Sequence, residues 1–287
     1  KAVNGNDAFG GKLGNAGGRI VLSGYGAATA NRTITANGTL EADLIDVTYG
    51  VTLDLKKNLD IATLQIGGGT VGGNTQASAV NVGTGVTLTS TTGVALGGAN
   101  GEGPLAGNLN ITGGTAVLAG ASFVDGSNSG IILGGGGTLT LGGDITGTSG
   151  TLTLGEGTLN ATAAWAASAG VVLNAASGKT ATVDTTGGNI TLNGAFTGSG
   201  NLLKTGTGTL SVGAASADYA GTLTLASGTL SFLDSANGYK AALNITGGNV
   251  AGGQNYKGLK TVSVNAASGV GSISLGGISG SALKTIN

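Results

Sequence analysis

The sequence of 287 residues predicts an all-β fold, a right-handed parallel β-helix that occupies 1–287 as a single solenoid. Three observations lead to this prediction: 61 residues are Gly, short segments alternate apolar and polar residues, and similar segments recur along the chain. Only 3 % of the residues are aromatic, which is few for the core of a β-sandwich or barrel. A solenoid suits this composition because each turn buries small aliphatic side chains against the turns above and below it.

Alternation with a period of two residues predicts short strands. In Gly137–Leu141 (GTLTL) the leucines point to one face and the threonines to the other, as in a strand with one buried face. The same pattern occurs in 51–56, 151–154, 209–212 and 222–225. We therefore expect strands of about four to six residues, with Leu, Val and Ile inside the solenoid.

Glycine-containing dipeptides separate these strands. Examples are Asn37-Gly38, Asn193-Gly194 and Asn237-Gly238. Since Gly and Asn tolerate a positive φ, we expect these pairs to turn the chain. The alanine-rich segment 161–167 is the one exception to the β pattern, and it predicts a short helical turn or a lateral excursion.

The tripeptide Gly-Thr-Leu recurs in two ladders with the same spacing. It starts at 137, 150 and 157, with steps of 13 and 7 residues, and again at 208, 221 and 228. The two steps together give a module of about 20 residues, so the chain holds roughly 14 turns. We expect 137–232 to be the most regular repeat region.

The composition excludes several kinds of chemistry. There is no His and no Cys, which removes a Ser-His-Asp triad, a thiol nucleophile, a disulfide and a zinc site built on those ligands. The net charge is -1, and 58–178 contains no Lys or Arg, so we expect no nucleic-acid partner. No stretch approaches about 18 uninterrupted apolar residues, so we expect no membrane-spanning segment. We predict no catalytic residue, no cofactor, no metal site and no enzyme activity.

One alternative function depends on the densest set of carboxylates. This set comprises Glu41, Asp43, Asp46, Asp54 and Asp60. A carbohydrate-active or carbohydrate-binding β-helix would place acids between Asp43 and Asp60 on one face. The competing interpretation is a solvated surface, where charge pairs contribute little, and Asp54 with Lys56 has the i, i+2 spacing of an exposed pair.

Three further patterns have both a functional and a structural interpretation. Ser177–Thr180 resembles the end of a phosphate-binding loop, but Leu173 stands where that loop requires Gly, so we expect a turn. Aromatic residues could contact a glycan or pack between turns; they are Trp165 and the Tyr-Lys pairs 239–240 and 256–257. The pairs Thr138/Thr140 and Thr151/Thr153 could form an ice-binding ladder if they build one flat array.

A longer segment resembles a known family. Gly198–Leu210 (GSGNLLKTGTGTL) is similar to the opening of the autotransporter-associated β-strand repeat. The segments Tyr219–Leu225 and Ser227–Leu230 resemble the rest of one such repeat. The resemblance covers about 178–232, and 131–159 is a weaker copy.

This resemblance implies the β-helical passenger region of a Gram-negative surface protein, exported across the outer membrane. The absence of Cys fits export, and a chain that begins at Lys1 without Met is expected to be a processed product. The expected function is that of a non-enzymatic extracellular adhesin stalk or a fibre- or coat-forming subunit. The expected partners are further copies of the chain, end to end or side by side, or a host or matrix glycan or protein.

Overall fold

The computed structural model describes residues 7–24, 31–68, 76–97, 105–126, 128–147, 149–213, 219–233, 241–252, 261–264 and 285–286. Within these ranges the protein is an all-β parallel solenoid without a helix, which confirms the predicted fold class. The chain forms two compact units, Lys1–Leu152 and Thr153–Asn287. The right-handed sense of the coil and its extension over the whole chain as one solenoid stay predictions.

The described residues of the first unit form eighteen short strands that lie wholly within it. They are β1 (Asp7–Phe9), β2 (Leu13–Gly14), β3 (Arg19–Ser23), β4 (Arg32–Ala36), β5 (Leu40–Glu41), β6 (Leu44–Thr48), β7 (Val51–Leu55), β8 (Leu59–Ile61), β9 (Thr63–Ile66), β10 (Ser78–Gly83), β11 (Thr87–Ser90), β12 (Val94–Leu96), β13 (Gly107–Thr112), β14 (Thr115–Leu118), β15 (Ser122–Val124), β16 (Gly130–Gly134), β17 (Gly137–Leu141) and β18 (Ile145–Thr146).

From β7 onward, each turn of this unit contributes one strand to each of three sheets. Sheet I has the order β1-β4-β7-β10-β13-β16, sheet II the order β8-β11-β14-β17, and sheet III the order β3-β6-β9-β12-β15-β18. The first two turns place β2 and β5 in a separate two-stranded sheet. The pairing between consecutive turns is parallel, as a continuous coil requires.

The second unit follows the same plan with shorter turns at its end. The strand β19 (Thr151–Leu154) spans the boundary between the units. The others are β20 (Gly157–Ala161), β21 (Trp165–Ala167), β22 (Gly170–Leu173), β23 (Thr180–Asp184), β24 (Ile190–Leu192), β25 (Phe196–Gly198), β26 (Asn201–Thr205), β27 (Thr209–Val212), β28 (Thr222–Leu225), β29 (Thr229–Phe232), β30 (Ala242–Ile245), β31 (Asn249–Gly252), β32 (Thr261–Val264) and β33 (Thr285–Ile286). After β25 the described strands belong to sheets II and III only.

The described strands build about nine turns that carry a strand on all three faces, so the predicted count of roughly 14 is not confirmed. The reason is that the length of a turn varies. Ile45 pairs with Leu64, 19 residues later, whereas Leu64 pairs with Val94, 30 residues later. A spacing of 20 residues occurs in the second unit, for example where Ile190, Leu210 and Leu230 stack on one another.

Each Gly-Thr-Leu tripeptide of the two ladders lies at the start of a strand. The equal spacing of the two ladders, however, does not place their strands in the same sheets. In the first ladder the strands are β17, β19 and β20, which belong to sheets II, I and II. In the second ladder they are β27, β28 and β29, which belong to sheets III, II and III. The sequence repeat therefore reports local strand chemistry and not an equivalent position in the coil.

Alternation inside the strands builds the core. In sheet I, the inward residues Ile34, Leu53, Val80, Leu109 and Ile131 pair in register, turn on turn, and all are fully buried. Burying one such aliphatic side chain stabilises a fold by about 1.5–3 kcal/mol. Columns of identical type on successive turns replace the large aromatic core that the composition lacks.

The two described Asn-Gly pairs lie at corners of the coil, as predicted, but a positive φ of the glycine is not the reason. Neither Gly38 nor Gly194 has a positive φ. Instead, a Cβ on Gly38 would overlap the carbonyl oxygen of Gly11, and a Cβ on Gly194 would overlap that of Ala169. The backbone of one turn lies against the backbone of the next, and only Gly leaves enough room. The pair at 237–238 lies outside the described residues.

The helical interpretation of 161–167 is wrong. The segment completes β20 and contains β21, where Trp165 and Ala167 are buried and Ala166 faces outward. Pairing of β21 with Ile190–Leu192 decides the conformation, because tertiary pairing overrides the weak helical preference of alanine. No helix long and apolar enough to cross a membrane occurs in the part of the chain that the structure describes.

We predict that Gly194→Ala destabilises the solenoid by about 2 kcal/mol, because the added methyl group must push two backbones apart. The matched control is Gly170→Ala. There the new Cβ would lie 3.8 Å from the nearest neighbouring atom, the carbonyl oxygen of Ala195, at an ordinary φ. Urea denaturation followed by circular dichroism measures both variants. Equal midpoints for the two variants would contradict the backbone-contact explanation.

Candidate functional site

The coil separates the five carboxylates on which the carbohydrate alternative depends. Glu41, Asp46, Asp54 and Asp60 lie on the consecutive strands β5, β6, β7 and β8, which belong to four different sheets. Asp43 lies between β5 and β6, where its Oδ1 accepts a hydrogen bond from the backbone N–H of Gly17. A single acidic face is therefore not formed.

Two of these acids form ordinary surface ion pairs. Glu41 forms an ion pair with Lys12. The predicted pair of Asp54 and Lys56 is confirmed, with Lys56 Nζ 2.7 Å from Asp54 Oδ2. Exposed pairs of this kind contribute little to stability and indicate no chemistry.

Asp46 differs from the other acids because it is buried at an outward position. On β6, Ile45 and Val47 point into the core, so alternation places Asp46 on the outer surface. In register with it are Val21 on β3 and Gln65 on β9. Asp46 is thus the centre of an outward row that crosses three turns, yet its side chain is only 3 % exposed.

The two oxygens of the Asp46 carboxylate have different environments. Arg19 Nε donates a hydrogen bond to Oδ2 at 2.5 Å, and the Arg19 side chain is 61 % exposed. The other oxygen, Oδ1, is buried and has no hydrogen-bond partner. Buried polar atoms without a partner are rare, so this oxygen requires an explanation.

A cavity of about 220 Å³ lies over this row. Its walls are formed by Arg19, Val21, Ser23, Asp46, Thr48, Tyr49, Gln65, Gly67, Gly68 and Gly97. Tyr49 is the one described residue other than Gly with a positive φ, at 53°. A left-handed backbone costs a residue such as Tyr about 1–3 kcal/mol, and such strain is concentrated at functional sites. We define these residues as the Asp46 pocket.

A second charged group is buried inside the solenoid of the second unit. Lys204 on β26 is 1 % exposed and faces inward, between Val183 of β23 and Leu225 of β28. Its Nζ donates hydrogen bonds to the carbonyl oxygens of Thr205 (2.7 Å), Gly206 (2.9 Å) and Ser227 (2.9 Å). The ammonium therefore ties together two turns at a corner.

Burial lowers the pKa of Lys204 from 10.5 to about 8, and the charge of Asp184 opposes part of this shift. Nearby, burial raises the pKa of Tyr219 above its usual value. Its hydroxyl donates a hydrogen bond to the carbonyl oxygen of Gly200 at 3.0 Å, and its ring packs edge-on against Phe196 with centroids 5.0 Å apart. Sequence reasoning assigned no role to Lys204, although its spacing from Leu202 already places it inward.

The remaining predicted features are structural or lie outside the described residues. The predicted turn is formed by Ser177 and Gly178, with Gly178 at φ 77°, and Thr180 already begins β23. Lys179 Nζ lies 2.9 Å from Glu156 Oε1. Trp165 is buried, so its ring is not available to a glycan. The Tyr-Lys pairs 239–240 and 256–257 are outside the described ranges.

The two predicted threonine pairs do not share one surface. Thr138 and Thr140 lie on β17 in sheet II, whereas Thr151 and Thr153 lie on β19, which belongs to sheet I. In sheet II, Thr138 stacks in register on Thr115 of the preceding turn. An ice-binding array would have to be built from such rows of one sheet.

Comparisons with protein-family models, curated proteins and solved structures find no match to this chain. Within the described residues, no three His, Cys, Asp or Glu side chains are grouped so that they could hold a metal ion. We take the Asp46 pocket as the candidate functional site, because it combines a cavity with a buried carboxylate oxygen that has no hydrogen-bond partner.

We predict that the free energy of unfolding rises by about 2 kcal/mol between pH 8 and pH 10 through Lys204. Its pKa is lower in the folded state, about 8, than in the unfolded chain, 10.5, so the unfolded chain binds more protons in this range. Above about pH 10 the raised pKa of Tyr219 acts in the opposite direction. Urea denaturation at a series of pH values measures this rise.

Lys204→Met should abolish this rise, since the variant has no titrating group at that position. Lys179→Met, which removes the exposed lysine paired with Glu156, is the matched control and should keep it. A rise of the same size in both variants would show that other groups cause it.

Proposed function

We propose that the chain is a non-enzymatic, extracellular structural or adhesive β-solenoid of a bacterial surface, either an adhesin stalk or a fibre- or coat-forming subunit. The observation that carries the proposal is the parallel stacking of turn on turn within each unit. In such a fold each added turn extends the same core, so length is gained without a new domain.

The outward surface supports a structural role because its side chains are largely uncharged and stack on their own kind. In sheet II, Thr87, Thr115 and Thr138 pair in register on three successive turns. In sheet I, Asn110 Nδ2 donates a hydrogen bond to Asn81 Oδ1 at 2.9 Å. Cross-strand pairs of this type stabilise a sheet, whereas stacked like charges would destabilise it.

Of the two carbohydrate alternatives, the structure is compatible with binding of a carbohydrate and gives no support to its hydrolysis. Glycoside hydrolysis generally requires two carboxyl groups about 5–9.5 Å apart. Among the described residues that line the Asp46 pocket, Asp46 supplies the one carboxyl group. The pocket is thus suited to holding a ligand, and an adhesive protein needs such a site.

Self-association remains part of the proposal. The net charge is only -1, which gives little electrostatic repulsion between copies. The last strand of any open sheet has unpaired backbone groups that can template a further strand. The family resemblance of 178–232 supports export to the cell surface and favours no particular partner.

The surface location predicts that antibodies raised against the purified chain label intact cells of the bacterium that produces it. The measurement is immunofluorescence on intact and on permeabilised cells, with an antibody against a cytosolic protein as the control. Labelling only after permeabilisation would overturn the extracellular assignment.

The fibre or coat form predicts that the purified chain assembles as its concentration rises, since stacking or lateral contact gains from mass action. Sedimentation velocity and negative-stain electron microscopy measure this directly. Monomers at every concentration would eliminate the fibre or coat subunit and leave the stalk.

A further inference from the structure

We propose that the Asp46 pocket binds a neutral, polyhydroxylated ligand, a single sugar ring, through Asp46 Oδ1 and the guanidinium of Arg19. This inference concerns one site, and it stands or falls independently of whether the chain is a stalk or a fibre.

The unsatisfied oxygen of Asp46 favours a ligand that donates a hydrogen bond. Asp46 Oδ1 is buried and has no donor, while Oδ2 is held by Arg19 Nε. An acceptor in this state gains most from a ligand that brings an O–H or N–H group, because the cost of removing the acceptor from water has already been met. Arg19 is 61 % exposed, so its side chain can turn at the mouth of the pocket and admit that group.

The charges in the walls of the pocket favour a neutral ligand. Arg19 and Asp46 neutralise each other, and they are the charged residues among the described walls of the pocket. A cationic ligand would face the guanidinium, and an anionic ligand would face the carboxylate. A ligand with adjacent hydroxyl groups avoids both penalties, since one hydroxyl donates to Oδ1 while its neighbour accepts from an N–H of Arg19.

The size and the lining of the cavity favour a single ring. The cavity of about 220 Å³ is smaller than the roughly 300–1,000 Å³ of pockets for drug-sized ligands, so it suits one ring and not a chain. Val21, which is 49 % exposed, and Tyr49 supply apolar surface for the C–H face of a ring. Gly67, Gly68 and Gly97 add no side chains to fill the space.

The test is a titration of the ¹⁵N-labelled full chain, followed by NMR, with four probes: glucose, galactose, mannose and N-acetylglucosamine. At least one probe should shift the backbone amide signals of Gly67, Gly68 and Gly97 at millimolar concentration. Methylammonium and phosphate serve as charged probes and should leave these signals unchanged.

Two variants and one control connect binding to the proposed groups. Asp46→Asn and Arg19→Gln should each raise the Kd of the bound sugar about tenfold or more, because each removes a hydrogen bond to a charged group. Asp54→Asn removes the carboxylate that pairs with Lys56 on sheet I and should leave the Kd unchanged. Circular dichroism checks that each variant is folded, and Arg19→Gln, at an exposed side chain, keeps the test valid if Asp46→Asn fails to fold.

Three results would overturn the proposal. One is no shift at these glycines with any of the four sugars. Another is an unchanged Kd in a folded Asp46→Asn or Arg19→Gln variant. The third is a response to methylammonium or phosphate in place of the sugars, which would assign the pocket to a charged ligand.

Discussion

The contact of one turn's backbone with the next is the interaction on which the rest of this protein depends. Every strand obtains its hydrogen bonds from neighbouring turns, and at corners such as Gly38 and Gly194 the two backbones approach too closely for any Cβ. At these corners glycine is required by packing, whereas other glycines, such as Gly178, adopt a positive φ. Once the turns stack, the period of two residues decides which side chains enter the core and which face solvent.

Among the residues that the structure describes, two charged side chains are buried. Lys204 is charged at an inward position, where three carbonyl oxygens replace the water that its ammonium has lost. Asp46 is outward and nevertheless buried, with only one of its oxygens satisfied. The inward lysine is accounted for by its own hydrogen bonds, so its role is structural. The outward aspartate is not, which is why it identifies a site.

The sequence is sufficient for the fold class and for the inward face of each strand, because both follow from local alternation, as in Gly137–Leu141. The same alternation places Lys204 inward, so its burial could be predicted from the sequence. The number of turns could not be predicted from the sequence, because the length of a turn varies with the corners between strands. Burial of Asp46 was also out of reach, since it depends on Arg19 and Gln65, brought together from three turns of unequal length.

A solenoid coated with threonine and asparagine offers a uniform surface, and a uniform surface gives little specificity. Specific binding requires a place where the regular pattern is broken and where some stability is given up. The Asp46 pocket has these properties, since it combines an unpaired buried oxygen with the left-handed backbone of Tyr49. Local rules are violated mainly at functional sites, and the surrounding columns of stacked aliphatic residues supply the stability that tolerates both costs. The regular part of the coil therefore explains the stability of the fold, and the irregular part indicates where the chain makes a selective contact.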